Sequence, residues 1–418
     1  MSIDTTVSDI AAAARAAGRQ MAQISTSLKN QALMSLADRL EKEAPGIFAA
    51  NKKDVTQAEQ AGLSAAMIDR LTVTPATIAA MADGLREVAA LADPVGAMTE
   101  SCRRPNGLEV SRVRVPLGVI GIIYESRPNV TVDAAGLCLK AGNAVILRGG
   151  SEAIHSNRAL ADLISTSLTD SGLPGRAAQV IPVSDRAAVT TMLAQEAFID
   201  LIIPRGGEGL IRFVVAHSKI PVLKHYKGVC HVYVDRSADT VMAGEICFNA
   251  KVQRPGVCNA METLLVHRDV ADDFLPAMGQ RFQDAGVTLK GCDRTRALLP
   301  FAEAATDADW PAEFLDLTLA VRVVDDMDQA MAHIAAHGSN HTEAIVTRDY
   351  ALARRFTREV DASVVIVNAS TRFNDGSQLG LGAEIGISTS KLHAYGPMGL
   401  KELTTTKFVV FGDGQVRP

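Results

Sequence analysis

The 418-residue chain contains six cysteines, at 102, 138, 230, 247, 258 and 292, but no Cys-x-x-Cys pair and no Cys/His spacing of the zinc-finger kind. That excludes a disulfide framework, and no metal centre is expected. The glycine fingerprint G-x-G-x-x-G is also missing. Gly207-Glu208-Gly209 lacks the third glycine, and Gly380-Leu381-Gly382 reaches Gly386 one residue late, which disfavours an ordinary Rossmann dehydrogenase. Long apolar runs are absent too. The strongest, Leu117 to Tyr124, is interrupted by Gly118 and Gly121 and falls far short of the roughly 20 residues of a membrane span. No excess of positive charge exists: 42 Lys plus Arg stand against 47 Asp plus Glu, a net charge of -5. Neither nucleic acid nor an anionic membrane is therefore an expected partner, and any anionic ligand must meet a local basic pocket. The Ala-rich start carries Asp4, Asp9 and Arg15 where a signal peptide needs a basic then an apolar region, so a cytoplasmic location is expected.

What is present is the composition of a globular enzyme, 47% apolar and 21% charged, with length enough for two or three domains. From about Ser8 to Ala92 helix formers dominate, with Leu33, Leu36 and Leu40 at helical intervals. After the Asn106-Gly107 turn, a β-prone segment from Leu108 to Val115 reads as part of a hairpin. Short β-branched runs then alternate with helix-length spacers. They are 119–123, 144–147, 180–183 and 201–203, then, from about residue 225, 232–234, 263–266, 321–324, 344–347 and 364–367. This alternation predicts an α/β protein with two domains, each built on a parallel-type sheet. The isolated terminal strand Thr404 to Phe411 needs partners, which we expect from the 108–115 hairpin or from another subunit.

The sharpest chemical signal is Gln253-Arg254-Pro255-Gly256-Val257-Cys258-Asn259. A Pro-Gly turn places Cys258 at a loop junction beside the Arg254 cation, surroundings that favour a nucleophilic thiolate. The other five cysteines read as buried packing. Glycine-rich turns follow two strands: Arg148-Gly149-Gly150-Ser151-Glu152, and Pro204-Arg205-Gly206-Gly207 before a helix start. Arg148 and Arg205 could hold a phosphate and Glu152 ribose hydroxyls, although tight turns explain the glycines equally well. Ser126, Arg127 and Asn129 lie at the C-terminal end of the strand 119–123, where ligands collect in open α/β sheets. The loops from Ser370 to Gly376 and from Gly380 to Gly386 are long enough to be functional. His337 and His341 flank a glycine-containing turn with no carboxylate cluster nearby and are not read as a metal pair.

Three stretches taken together resemble the γ-glutamyl phosphate reductases, or glutamate-5-semialdehyde dehydrogenases, a branch of the aldehyde dehydrogenase superfamily. They are Val115-Pro116-Leu117-Gly118-Val119-Ile120 running on to Glu125-Ser126-Arg127-Pro128-Asn129, the Cys258 segment, and Gly380-Leu381-Gly382-Ala383-Glu384-Ile385-Gly386. The resemblance implies an aldehyde dehydrogenase-like fold with an NADP(H)-binding domain over 1–224, from which a hairpin at about 106–116 joins an oligomerisation element. A catalytic domain would cover 225–400, and an oligomerisation strand 401–418. It also implies reduction of L-glutamyl 5-phosphate by NADPH to L-glutamate 5-semialdehyde and phosphate, the second step of proline biosynthesis, through a Cys258 thioester.

In that scheme Arg127 or Arg254 binds the leaving phosphate, and Arg372 with Gly382 and their loops holds the amino-acid end. Ser126 and Asn129 both stay open as the oxyanion side chain. His225 falls near the superfamily's glutamate base, so thioester hydrolysis is expected to be slow. Glu313 matches the glutamate that holds the nicotinamide ribose, and Arg148 and Arg205 favour NADP(H). A homo-oligomer is expected, and association with glutamate 5-kinase is open. Two other readings remain at this stage, a hydrolytic aldehyde dehydrogenase and a catalytically silent interaction homologue.

Overall fold

The computed structural model describes residues 2–417, which cluster into two compact units. The first comprises the chain up to Lys224 together with Leu381–Gly386 and the segment from Met398 onward; the second is His225–Gly380 with Ile387–Pro397. The expected catalytic domain of 225–400 thus gives up Leu381–Gly386 and 398–400 to the first unit.

The first unit opens with five helices, α1 (Ile3–Met21), α2 (Thr26–Lys42), α3 (Ala44–Gln60), α4 (Ala65–Leu71) and α5 (Pro75–Ala90). Their starts follow local chemistry. Ser25 accepts from the Leu28 N–H, while Thr74 and Thr77 form a reciprocal capping box with Pro75 in the first turn. Next come β1 (Met98–Arg103), β2 (Glu109–Pro116), β3 (Val119–Tyr124), α6 (Asn129–Lys140), β4 (Ala144–Arg148), α7 (Ile154–Asp170), β5 (Ala178–Val180), α8 (Ala187–Leu193), β6 (Leu201–Arg205) and α9 (Glu208–His217). Strands β5-β4-β3-β6 make a parallel sheet. Every residue of β3 and β4 is buried, as expected of central strands covered on both faces. The start of β3 is fixed by Asp200, which accepts the Val119 N–H at 2.7 Å while pairing with both terminal nitrogens of Arg15.

The second unit runs β7 (Cys230–Val234), α10 (Thr240–Val252), β8 (Met261–His267), α11 (Arg268–Asp284), β9 (Thr288–Gly291), α12 (Asp293–Leu298), β10 (Glu303–Ala304), β11 (Thr318–Val324), α13 (Met327–His337), β12 (Thr342–Val346), α14 (Tyr350–Glu359), β13 (Val364–Val367), β14 (Ile387–Ser388) and β15 (Gly396–Pro397). Seven strands form a parallel sheet in the order β10-β9-β11-β8-β7-β12-β13, and β14 pairs with β15. Asp239 caps α10 and Asp349 caps α14 through two N–H groups each. Val232, Leu264, Val321 and Phe274 are among the apolar side chains that fill the core between sheet and helices.

The last strand, β16 (Thr404–Phe411), pairs antiparallel with β2 of the same chain from Thr404↔Pro116 to Phe411↔Glu109, completing a three-stranded sheet β1-β2-β16. The expected pairing with the hairpin strand is thus made within the chain. Its entry is held by Asn143, which donates to the Leu403 carbonyl and accepts from the Gly118 N–H. Of the described helices none is long and apolar enough to cross a membrane.

Candidate active site

The turn carrying Cys258 spans the gap between α10 and β8, and its base is clamped. Lys251 at the end of α10 pairs with Glu262 in β8 at 2.6 Å, both fully buried, and the second Glu262 oxygen accepts from the Leu315 N–H. Burial works against both charges, holding the Lys251 ammonium below its ordinary range and pushing the Glu262 carboxyl up to about 7.

Cys258 itself is partly exposed. Its carbonyl accepts from the Cys230 thiol at 3.1 Å, and its backbone lies flat against Gly228. A Cβ added at Gly228 would sit 1.9 Å from the Cys258 oxygen, so only glycine allows this approach. The Gly228 N–H in turn donates to Glu313 at 2.8 Å, which brings Glu313 to the segment that carries His225.

Two histidines converge on the thiol. One ligand atom each from His225, Cys258 and His341 lies within 4.8 Å of the others, and the two rings meet edge to face at 5.4 Å. His225 Nδ1 donates to the Ile387 carbonyl at 2.8 Å, leaving Nε2 as the nitrogen with a lone pair. His341 Nδ1 contacts Thr342 Oγ1 at 2.7 Å, and its Nε2 is buried without a hydrogen-bond partner. Burial, with a smaller contribution from the neighbouring His225, pushes the His341 imidazole down to about 3, so the ring is neutral at working pH. Sequence reasoning missed His341. It reads there beside His337, whereas the fold sets His337 against His333, the rings tilted with centroids 4.6 Å apart, and delivers His341 to Cys258.

On the next residue, Asn259 is nearly buried. Its amide donates to the Asn374 carbonyl at 2.8 Å, and its oxygen accepts from the Arg372 guanidinium. The Asn374 amide continues to Thr342 Oγ1 at 2.7 Å, and so to His341. Arg372, singled out in the sequence, therefore reaches the thiol loop from the 370–376 segment, where it also binds Gln253. Desolvation and the Arg254 charge both lower its pKa. The two guanidinium groups are thus near enough to act on each other through their charges.

The remaining candidate residues sit in the first unit. Glycine turns follow β4 and β6, and a Cβ at Gly207 or Gly209 would meet nothing within 4 Å, leaving backbone open at the start of α9. Pro204 ends the buried run of β6 opposite Ile123, and Gly206 lies against the Glu125 carboxylate, whose other contact is the Gly207 N–H at 3.0 Å. These features fit a dinucleotide.

The buried Arg148 guanidinium donates to the carbonyls of Gly149 and Ser184 and so braces its own turn. Glu152 Oε1 accepts both the N–H and the hydroxyl of Ser126, at 2.6 and 2.8 Å, with Ser126 held left-handed at φ 46°. Both Ser126 donors are thus committed, while the Asn129 amide donates to Asp133 with one of its two hydrogens. Gly382 takes a left-handed φ of 74° and presses on Leu91, and Gly386 of the same loop lies against the Arg205 guanidinium. That loop clusters with the first unit, which also holds Arg205. Arg127 is exposed at the end of β3.

The sequence profile of the aldehyde dehydrogenase family matches residues 3–300. The γ-glutamyl phosphate reductase of Desulfatibacillum aliphaticivorans is 63% identical over 417 residues, all of both chains, and that of Geotalea daltonii is 61% identical with the same coverage. The crystal structure of the γ-glutamyl phosphate reductase of Thermotoga maritima superposes with a TM-score of 0.97 at 45% identity, covering 99% of this chain and 100% of that one.

Proposed function

Since this chain belongs to the γ-glutamyl phosphate reductases of the aldehyde dehydrogenase family, we propose that it reduces L-glutamyl 5-phosphate with NADPH to L-glutamate 5-semialdehyde and phosphate, the second step of proline biosynthesis. The observation that carries the reading is the Cys258 turn, where a partly exposed thiol, two histidines and the Arg254–Arg372 pair meet. The Cys258 thiolate attacks the acyl carbonyl, forming a thioester and releasing phosphate. Phosphate leaves as a stable anion, so a cation serves better than a general acid, and Arg254 and Arg372 supply it.

The family uses NAD(P); NADPH, when bound, supplies the hydride that brings the acyl group to the aldehyde level. We assign its binding to the turns at Gly149-Gly150 and Gly206-Gly207, with Arg205 as the cation and Glu313 at the nicotinamide ribose. Asn129 supplies the oxyanion side chain, because Ser126 is occupied by Glu152. His225 stands where a hydrolytic relative would hold a glutamate base, and with an imidazole in place of that carboxylate the thioester persists until it is reduced. A cytoplasmic homo-oligomer, open to association with the kinase that makes its substrate, completes the reading.

Run in reverse, with glutamate semialdehyde and NADP, turnover should require phosphate. Cys258→Ser should abolish that turnover while leaving NADPH affinity within about twofold, since the hydroxyl's far higher pKa removes the nucleophile and little else. Brisk glutamate formation without phosphate would refute the reading.

A further inference from the structure

The group at Cys258 has the composition of a metal site as well as of a catalytic one. One sulfur and two imidazoles, from three separate segments of the second unit, bring one ligand atom each within 4.8 Å of one another. Two independent features show which nitrogens are open to a ligand. The His225 Nδ1 bond to the Ile387 carbonyl leaves Nε2 as its donor atom. The fully buried His341 has Nδ1 taken up by Thr342 and Nε2 without a hydrogen-bond partner, and a buried unsatisfied nitrogen is costly unless something binds it. Bonds of about 2.3 Å to sulfur and 2.0–2.1 Å to nitrogen need donor atoms roughly 3.4–3.6 Å apart in a tetrahedron. Closing the group therefore takes movements of about 1 Å.

We infer that Cys258, His225 and His341 form a reversible binding site for a zinc-like divalent cation that caps the thiol. A soft thiolate with two imidazoles selects Zn²⁺ over Mg²⁺ or Ca²⁺, and three protein ligands leave a fourth position to water or phosphate. On binding, the Cys258 S–H bond gives way to an S–Zn bond and the proton passes to solvent. The lone pair that would attack the acyl phosphate is then occupied. Zinc is accordingly an inhibitor that chelation relieves, a consequence that rests on Cys258 being the nucleophile; the metal site itself does not.

The test uses the untagged full-length protein and Zn²⁺ alone, in competition with a chromophoric chelator. One zinc per chain is expected, with affinity falling at least tenfold in Cys258→Ala and in His341→Asn. Wild-type protein loaded with Co²⁺ needs no variant, and should show a thiolate-to-cobalt charge-transfer band with the strong visible d–d bands of a tetrahedral centre. Unchanged zinc affinity in both variants, or cobalt without the thiolate band, overturns the site. Zinc bound through Cys258 with undiminished turnover upholds the site and refutes Cys258 as the nucleophile.

Discussion

Asp133 sits one turn into α6, where it accepts from the Asn129 amide. Burial pushes its carboxyl up to about 6 from the ordinary 3.8, against the opposing pull of Asn129 and Arg205. The folded protein therefore binds more protons at this group than the unfolded chain between about pH 4 and 6, and stability falls as pH rises through that window. Asp133→Asn should raise stability above pH 6 by up to about 3 kcal/mol, less for the water that reaches a partly exposed group, and should change nothing below about pH 4. Thermal melts of the two proteins across that range check the sign. Arg254 offers a second test at this scale. Its charge faces that of Arg372, an arrangement that an anion relieves. Arg254→Ala should raise the KM for phosphate roughly 10- to 100-fold, the worth of one charge-assisted hydrogen bond, with NADP affinity unchanged in the same steady-state measurement.

Among elements, the Cys258 turn depends on its neighbour more than on its own residues. A methyl at position 228 would overlap the Cys258 carbonyl, so Gly228→Ala must displace the thiol. A loss in kcat of at least about 100-fold is expected, with the rate of Cys258 alkylation changed and the helical circular dichroism unchanged. That dependence explains what the sequence could reveal. The buried parallel strands β3, β4, β7, β8, β11 and β12 were legible as β-branched runs, and Cys258 as a thiol after Pro-Gly. Strand β1 was not, because Met98–Arg103 is exposed along its whole length and carries no alternation. Nor were β9 and β10, strands of four and two residues at one end of the sheet. The expected strand at 180–183 ends instead at Val180, because Pro182 has no N–H to give the ladder. Arg148 was ambiguous for another reason: a guanidinium beside a glycine turn serves a carbonyl or a phosphate equally well, and here it donates to the Ser184 carbonyl. His341 was invisible because its partners are remote in sequence.

For the whole molecule, the sheet β1-β2-β16 shows apolar side chains to water, with Phe408 and Phe411 each 66% exposed and Val410 52%. A second copy of the chain is the occupant we propose for this surface. Phe408→Asp combined with Phe411→Asp should shift light scattering to a smaller species without unfolding the protein, since neither ring belongs to its core. An unchanged mass would place the oligomer contact elsewhere. The same strand carries a consequence for synthesis. Unit one begins at the N-terminus, yet it takes in Leu381–Gly386 and everything from Met398 onward, so a ribosome releases its closing pieces last. The second unit is synthesised in between, so β2 waits for β16 while most of that unit is made. Until then β2 has an unfilled edge at which it can pair with the wrong chain. The exposure of β2 to misassembly is thus set by the time taken to make and release the chain between Pro116 and Phe411.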